Sequence, residues 1–182
     1  MTQLMKVGEV ILTEEQISRR VKELADAVNQ DYPDGELIVV GILKGCFVFV
    51  SDLVRHLSSD VQLYFMQVSS YGNGTESSRT LNIKKDIDVD IAGKDVLLAE
   101  DIVDSGNTLA QLIPLLKKRN PKSIRVCSLL SKPSRRQIEF EADYTGFEIP
   151  DKFIVGYGLD CGERFRQLPY IAEVELIEEN KD

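Results

Sequence analysis

The stretch Val96-Leu97-Leu98-Ala99-Glu100-Asp101-Ile102-Val103-Asp104-Ser105-Gly106-Asn107-Thr108-Leu109 decides the reading of this chain. Residues 96–99 form a short, continuously apolar run, as in a strand buried on both faces. Leu109, Leu112, Ile113 and Leu116 then recur at helical spacing. Residues 124–130, IRVCSLL, supply the next apolar strand. The span 96–130 therefore has the length of one βαβ unit, which packs right-handed in a parallel sheet. Pro114 lies inside the helix, where a proline bends the chain or costs about 3 kcal/mol.

Working outward, the same alternation recurs. Residues 13–29 read as a helix, with Thr13 and Gln16 spaced as a capping box and Ile17, Val21, Leu24 and Val28 on one face. Residues 37–43, LIVVGIL, read as a buried strand, and Phe47, Val50, Leu53, Val54 and Leu57 as a second helix. Residues 61–68, 152–156 and 171–177 read as further strands. From Ser69 to about Asn82 apolar periodicity disappears, and a loop that long is either a functional lid or a surface loop without a task. Helices alternating with strands argue an open α/β sheet with helices on both faces. Ligands in such sheets bind at the carboxyl ends of the strands.

Composition narrows the function. The chain has 182 residues, enough for one domain with a real core. Hydrophobic residues make up 43% and charged residues 29%, which excludes disorder as the main state. A net charge of −8 makes the chain a poor general binder of nucleic acid or anionic membrane. Three cysteines, Cys46, Cys127 and Cys161, show no CxxC spacing, so neither a disulfide framework nor a zinc knuckle is suggested. A reducing cytoplasm is the expected location. The N-terminal residues do not read as a secretory signal, and no apolar run is long enough to span a bilayer.

The chemistry concentrates where the strand beginning at Val96 gives way to its helix. Gly106 permits a tight turn, Ser105, Asn107 and Thr108 offer side-chain donors, and the helix start offers free N–H groups. Together they make an anion cradle suited to phosphate. Carboxylates crowded beside a phosphate repel it unless a divalent cation, sugar hydroxyls or a proton intervene. Glu100 and Asp101 are placed for hydroxyls or metal, and hard oxygen donors with phosphate favour Mg²⁺. Asp104 is placed as a general base. An isolated Asp-Ser-Gly would read as an ordinary helix cap. Here the strand, the acidic pair and the helix stand in register with it.

These residues carry a resemblance. VLLAEDIVDSGNTL is similar to the phosphoribosyl pyrophosphate signature of type I phosphoribosyltransferases. Leu43-Lys44-Gly45 resembles the family's pyrophosphate loop, and Ser69-Ser70-Tyr71-Gly72 the start of its mobile catalytic loop. Leu130-Ser131-Lys132-Pro133 resembles the segment that bears the lysine recognising a 6-oxo group. The stretch from Phe147 to Asp160, with Arg166, resembles the purine-binding hood. The likeness spans about residues 10–178 and is to the hypoxanthine-guanine phosphoribosyltransferases of the short bacterial kind.

The resemblance implies an open, mostly parallel sheet flanked by helices, with a small hood from the chain ends. It implies a single domain: a core of about 30–150, a hood from about 1–12 and 151–182, and a mobile lid at about 69–82. It implies transfer of 5-phosphoribosyl from phosphoribosyl pyrophosphate to N9 of hypoxanthine or guanine, giving IMP or GMP. Asp104, Ser105, Gly106, Asn107 and Thr108 would bind the 5′-phosphate, with Asp104 also catalytic. Lys44, Gly45, Ser70, Tyr71 and Arg166 would bind pyrophosphate. Lys132, Phe153, Ile154 and Asp160 would bind the purine. Glu100 and Asp101 would meet Mg²⁺ or the ribose hydroxyls, and Asp160 a second Mg²⁺. A homodimer or homotetramer is implied, with no nucleic acid or membrane partner. The alternatives are a nucleotide-sensing RNA- or DNA-binding regulator on the same fold, or a relative preferring xanthine. The regulator would need a basic face or an added module, and the sequence shows neither. Cys161 departs from the family pattern, which has an aromatic there, and Asn107 occupies its variable phosphate-loop position.

Outside the resemblance, Lys44 would read as a snorkelling lysine, Phe153 as core, and Lys132 and Arg166 as solvated charges. Arg135 and Arg136 read as surface or interface charge, and His56 has no assigned role.

Overall fold

The computed structural model describes residues 4–33, 35–58, 60–71 and 80–177. In chain order the elements are β1 (Leu4–Leu12), α1 (Glu14–Asp31), β2 (Glu36–Leu43), α2 (Phe47–Val54), β3 (Asp60–Tyr71), β4 (Thr80–Lys85), β5 (Asp95–Val103), α3 (Asn107–Lys117), β6 (Ser123–Ser131), β7 (Tyr144–Glu148), β8 (Ile154–Val155) and β9 (Ile171–Ile177). A single 3₁₀ turn, Pro133–Arg135, follows β6. Six strands form the main sheet in the order β4-β3-β2-β5-β6-β7. All neighbours in it are parallel except β4, which runs antiparallel to β3. Strands β1, β9 and β8 form a separate antiparallel sheet.

The two-residue period of the central strands sorts their side chains into two cores. Leu37 and Val39 of β2, with Leu97 and Ala99 of β5, pack against Ile17, Val21, Leu24 and Val28 of α1 and Phe49, Val50 and Leu53 of α2. Ile38, Val40 and Ile42, with Val96 and Leu98, pack on the other face against Leu109, Leu112 and Leu116 of α3. Each such side chain, fully buried, stabilises by roughly 1.5–3 kcal/mol. The Thr13–Gln16 capping box forms as expected: Gln16 N–H donates to Thr13 Oγ1 at 3.2 Å, and Thr13 N–H to Gln16 Oε1 at 2.8 Å. Pro114 is tolerated because it is exposed and only three residues remain in α3 beyond it.

The main departure lies at 69–82, expected as one continuous loop. Strand β3 runs on to Tyr71, and its antiparallel partner β4 begins at Thr80, with Ser69 opposite Asn82 and Ser70 opposite Leu81. The ladder is made by backbone groups, so serine, threonine and asparagine serve it without any apolar alternation. The rest of that stretch, 72–79, lies outside the described residues. Among the described residues no helix is long and apolar enough to cross a membrane.

The topology fixes where a ligand can sit. From β2 the chain moves outward to β3 and β4, then returns to the opposite side of β2 to form β5. The loops leaving the carboxyl ends of β2 and β5 therefore part in opposite directions and leave a crevice between them.

Candidate functional site

The turn from β5 into α3 sits at that crevice. Gly106 caps α3 with φ 83°, a left-handed value that favours glycine. A β-carbon there would also lie 3.1 Å from Ile138 Cγ1 and 3.2 Å from Phe140 Cβ. Ser105 Oγ accepts from Asn107 N–H at 3.3 Å, and Ser105 O accepts from Gln137 N–H at 3.1 Å. The opening N–H groups of α3 have no intrahelical acceptors, and beside them lies a cavity of about 80 Å³ lined by Glu100, Asp104, Ser105, Gly106 and Thr108. That space suits one phosphate group and little more.

Glu100 and Asp101 follow the buried part of β5. Burial, reinforced by the neighbouring Asp101 charge, pushes the Glu100 carboxyl far above its usual range. Burial likewise pushes Asp101 up to about 6, against the Ile102 N–H that donates to its Oδ1 at 2.9 Å and the distant pull of Arg166. Two hard oxygen donors are thus held side by side at a cost that a divalent cation would remove. No group of three or more metal-ligating side chains clusters among the described residues. A cation bound here must complete its shell from substrate oxygens and water, which is the habit of Mg²⁺. On the chemistry of the donors, the pair fits that ion. Asp160 lies in the hood loop, its Oδ1 2.9 Å from Arg166 and its Oδ2 accepting from Glu163 N–H at 2.8 Å.

The Leu43-Lys44-Gly45 loop leaves β2 next to this pair, and its Leu43–Lys44 peptide is cis. Gly45 touches the acidic pair directly: a β-carbon there would fall 1.6 Å from Asp101 Oδ2. The hood loop closes on the other side of Gly45. Gly158, at φ 99°, approaches so closely that its β-carbon would fall 2.1 Å from Gly45 O. Gly158 N–H donates to Arg166 O at 2.9 Å, and Arg166 Nη1 donates back to Gly158 O at 2.8 Å. Lys44 and Arg166 converge on one carboxylate, that of Glu163, at 3.0 and 3.3 Å. The structure therefore brings Lys44, Gly45, Asp101, Asp160 and Arg166 together. Ser70 and Tyr71 lie in β3, and their side chains are outside the described residues.

The remaining predicted residues form the crevice's other wall. Lys132 is buried at the end of β6, its N–H donating to Val103 O at 3.0 Å and its Nζ to Lys152 O at 2.6 Å. Phe153 is 59% exposed, yet its carbonyl accepts from Val174 N–H at 2.9 Å. It is an aromatic face held out on a fixed backbone. Ile154 is buried in β8 opposite Glu173 of β9.

Two residues read as surface or interface charge make specific contacts at the site. Arg136 ties the turn after β5 to the segment after β6. Its Nη1 donates to Val103 O at 2.7 Å and also to Asp104 O, its Nη2 to Ser131 Oγ at 2.7 Å, and its Nε to Phe140 O at 2.9 Å. Arg135 reaches the Asp104 carboxylate itself, Nε to Oδ1 at 2.8 Å. The one sequence signal for either is a pair of arginines soon after Lys132.

A helix-start anion cradle, an acidic pair and a cation-bearing loop meet at the switch point of a parallel sheet, an arrangement suited to a phosphorylated sugar. The sequence matches the phosphoribosyl transferase domain over residues 8–161, and the chain belongs to that family. Its fold is that of the type I phosphoribosyltransferases. Within the family it is similar to hypoxanthine phosphoribosyltransferase of Salmonella typhimurium, 46% identical over 173 residues, covering 94% of this chain and 97% of the relative. It is 51% identical over 168 residues to hypoxanthine-guanine phosphoribosyltransferase of Aquifex aeolicus, covering 92% and 94%. The crystal structure of a hypoxanthine-guanine phosphoribosyltransferase from Bacillus anthracis superposes with a TM-score of 0.89 at 44% identity, covering 94% of this chain and all of that one.

Proposed function

We propose that this chain is a purine-salvage enzyme. It transfers 5-phosphoribosyl from phosphoribosyl pyrophosphate to N9 of hypoxanthine or guanine, giving IMP or GMP and releasing pyrophosphate. One observation carries the reading. The Asp101 carboxylate touches Gly45 of the Lys44 loop and also belongs to the strand that ends at the phosphate-sized cradle. A sugar bearing a phosphate at one end and a diphosphate at the other would lie across these two elements, with its hydroxyls over the acidic pair.

The roles follow from the chemistry of each group. Residues 104–108 take the 5′-phosphate through their side-chain donors, the N–H groups at the start of α3 and the helix dipole. Lys44, Gly45 and Arg166 hold the pyrophosphate, with Ser70 and Tyr71 on the lid side. Lys132 donates to the 6-oxo group, Phe153 stacks on the purine, and backbone groups at Ile154 and Asp160 meet its ring edge. Glu100 and Asp101 hold the ribose hydroxyls or would hold a Mg²⁺ that does so, and the Asp160 side chain would hold a second Mg²⁺. Bound there, the metal would supply charge neutralisation for the leaving diphosphate. Breaking the anomeric bond leaves an oxocarbenium-like centre, and the cations of the cage stabilise the departing oxygens. Asp104 takes or shares the N7 proton as N9 bonds to the sugar. A closed lid keeps water from hydrolysing the activated sugar. A single domain, a cytoplasmic location and a homodimer or homotetramer complete the reading.

The test is a panel of bases incubated with phosphoribosyl pyrophosphate and Mg²⁺, reading nucleotide formation. Hypoxanthine and guanine give product, and adenine and uracil give none. Failure of both hypoxanthine and guanine would reject the reading.

A further inference from the structure

Lys44 and Arg166 already have an anion. Glu163 Oε1 accepts from Lys44 Nζ at 3.0 Å, and Glu163 Oε2 accepts from Arg166 Nη2 at 3.3 Å. Arg166 also meets Asp160 Oδ1 at 2.9 Å. Two cations are thus matched by two carboxylates, and these four groups offer no net positive charge to a polyanion.

The placing of Glu163 is set by its turn. Its backbone takes φ 64°, a left-handed value that a side-chain-bearing residue rarely adopts. Its N–H donates to Asp160 Oδ2 at 2.8 Å, and paired hydrogen bonds between Cys161 and Arg164 close the turn around it. The carboxylate is directed at the two cations from a short, hydrogen-bonded loop. The contact is also weak enough to break. The Glu163 side chain is 66% exposed, and ion pairs at such sites are weak. The Lys44 and Arg166 contacts hold its carboxyl below the usual range, so it is ionised whenever they are in place.

We propose that Glu163 competes with the diphosphate for Lys44 and Arg166. In the empty site its carboxylate occupies the cations, it yields them when the donor enters, and it reclaims them as pyrophosphate leaves. This rests on the reading of Lys44 and Arg166 as the pyrophosphate cage. Donor binding is weakened by the exchange, and product release is eased by the same amount.

The experiment is titration calorimetry of the full chain with inorganic pyrophosphate in the presence of Mg²⁺, for wild type, Glu163→Gln, Lys44→Ala and the double variant. Glu163→Gln keeps the side-chain size and removes the charge. It binds pyrophosphate about fivefold more tightly, the ratio equivalent to one exposed ion pair. Its KM for phosphoribosyl pyrophosphate falls in step, and its KM for hypoxanthine does not move. In the Lys44→Ala background the gain from Glu163→Gln shrinks, because half of the contact is gone. Unchanged or weaker pyrophosphate binding in Glu163→Gln overturns the proposal. So does an equal gain in both backgrounds, which would mark a long-range charge effect. If Lys44→Ala leaves pyrophosphate binding intact, the cage assignment itself fails and the proposal falls with it.

Discussion

Arg135 Nε lies 2.8 Å from Asp104 Oδ1, and the same guanidinium reaches Asp151 Oδ1 at 3.2 Å. Asp151 Oδ1 in turn stands 3.8 Å from Lys132 Nζ. The Asp104 oxygen is buried and receives no well-aligned hydrogen bond, so this charge contact is its closest restraint. Arg135 thereby links the residue proposed to handle the N7 proton with the one proposed to read the 6-oxo group. Arg135→Ala is expected to lower kcat about tenfold, as loss of a positioning contact does, with little change in KM for phosphoribosyl pyrophosphate. Steady-state kinetics on both substrates check this. An equal rise in both KM values with kcat intact would assign Arg135 to general binding.

Asp104 itself is half-exposed and carries no core packing. Asp104→Ala should keep the circular dichroism spectrum and melting temperature while losing about 10²–10⁴ of turnover, the usual range for a general base. Near-normal turnover would remove Asp104 from the chemistry.

The Glu100–Asp101 pair makes stability depend on pH. The folded state raises Asp101 from 3.8 to about 6, so it holds a proton there that the unfolded chain has released. Stability then falls as pH rises from about 4 to about 6, and the penalty stays constant above that. Glu100→Gln removes a carboxyl whose ionised form the folded site disfavours by burial. With metal chelated, it should melt a few degrees above wild type at pH 7.5, the difference vanishing near pH 4. The same variant should lose turnover. Differential scanning calorimetry across that range decides it, and a gap independent of pH would contradict the assignment.

Gly45 has no space for a side chain. Gly45→Ala would place a methyl group inside the Asp101 carboxylate, and the loop is backed by Gly158 on its other side. A loss of about 2–4 kcal/mol in urea unfolding is expected from such overpacking, together with loss of donor binding. Normal stability with normal donor affinity would show that the loop moves freely.

Phe153 is exposed, so its removal should leave the fold nearly as stable. Phe153→Ala is expected to raise KM for hypoxanthine about tenfold or more, the worth of one base–aromatic stack. Phe153→Tyr should restore most of it. KM for phosphoribosyl pyrophosphate is the internal control and should stay within about twofold.

The legible parts of the fold were those whose side chains alternate against two cores. Strands β2, β5 and β6 and helices α1 and α3 announce themselves through Leu, Ile and Val at fixed periods. Strands β1, β4 and β7 do not. Their pairing is backbone to backbone, and β7 carries Gly146, whose β-carbon would meet Leu129 O at 2.3 Å, and a half-exposed face. The phosphate cradle could be read because one segment, 100–108, contains nearly all of it. Arg135, Arg136 and Glu163 could not, because their roles depend on partners 30 or more residues away: Asp104, Val103 and Lys44. A lone charge in sequence carries no sign of which carbonyl or carboxylate it will meet.

Gly158, Gly45 and Asp101 stand in one column, hood against loop against strand, with no room for a methyl group at either joint. The hood cannot swing off the core at that point without parting both contacts. A side chain added at either glycine would therefore push apart three segments distant in sequence, because each is spaced by the one beneath it.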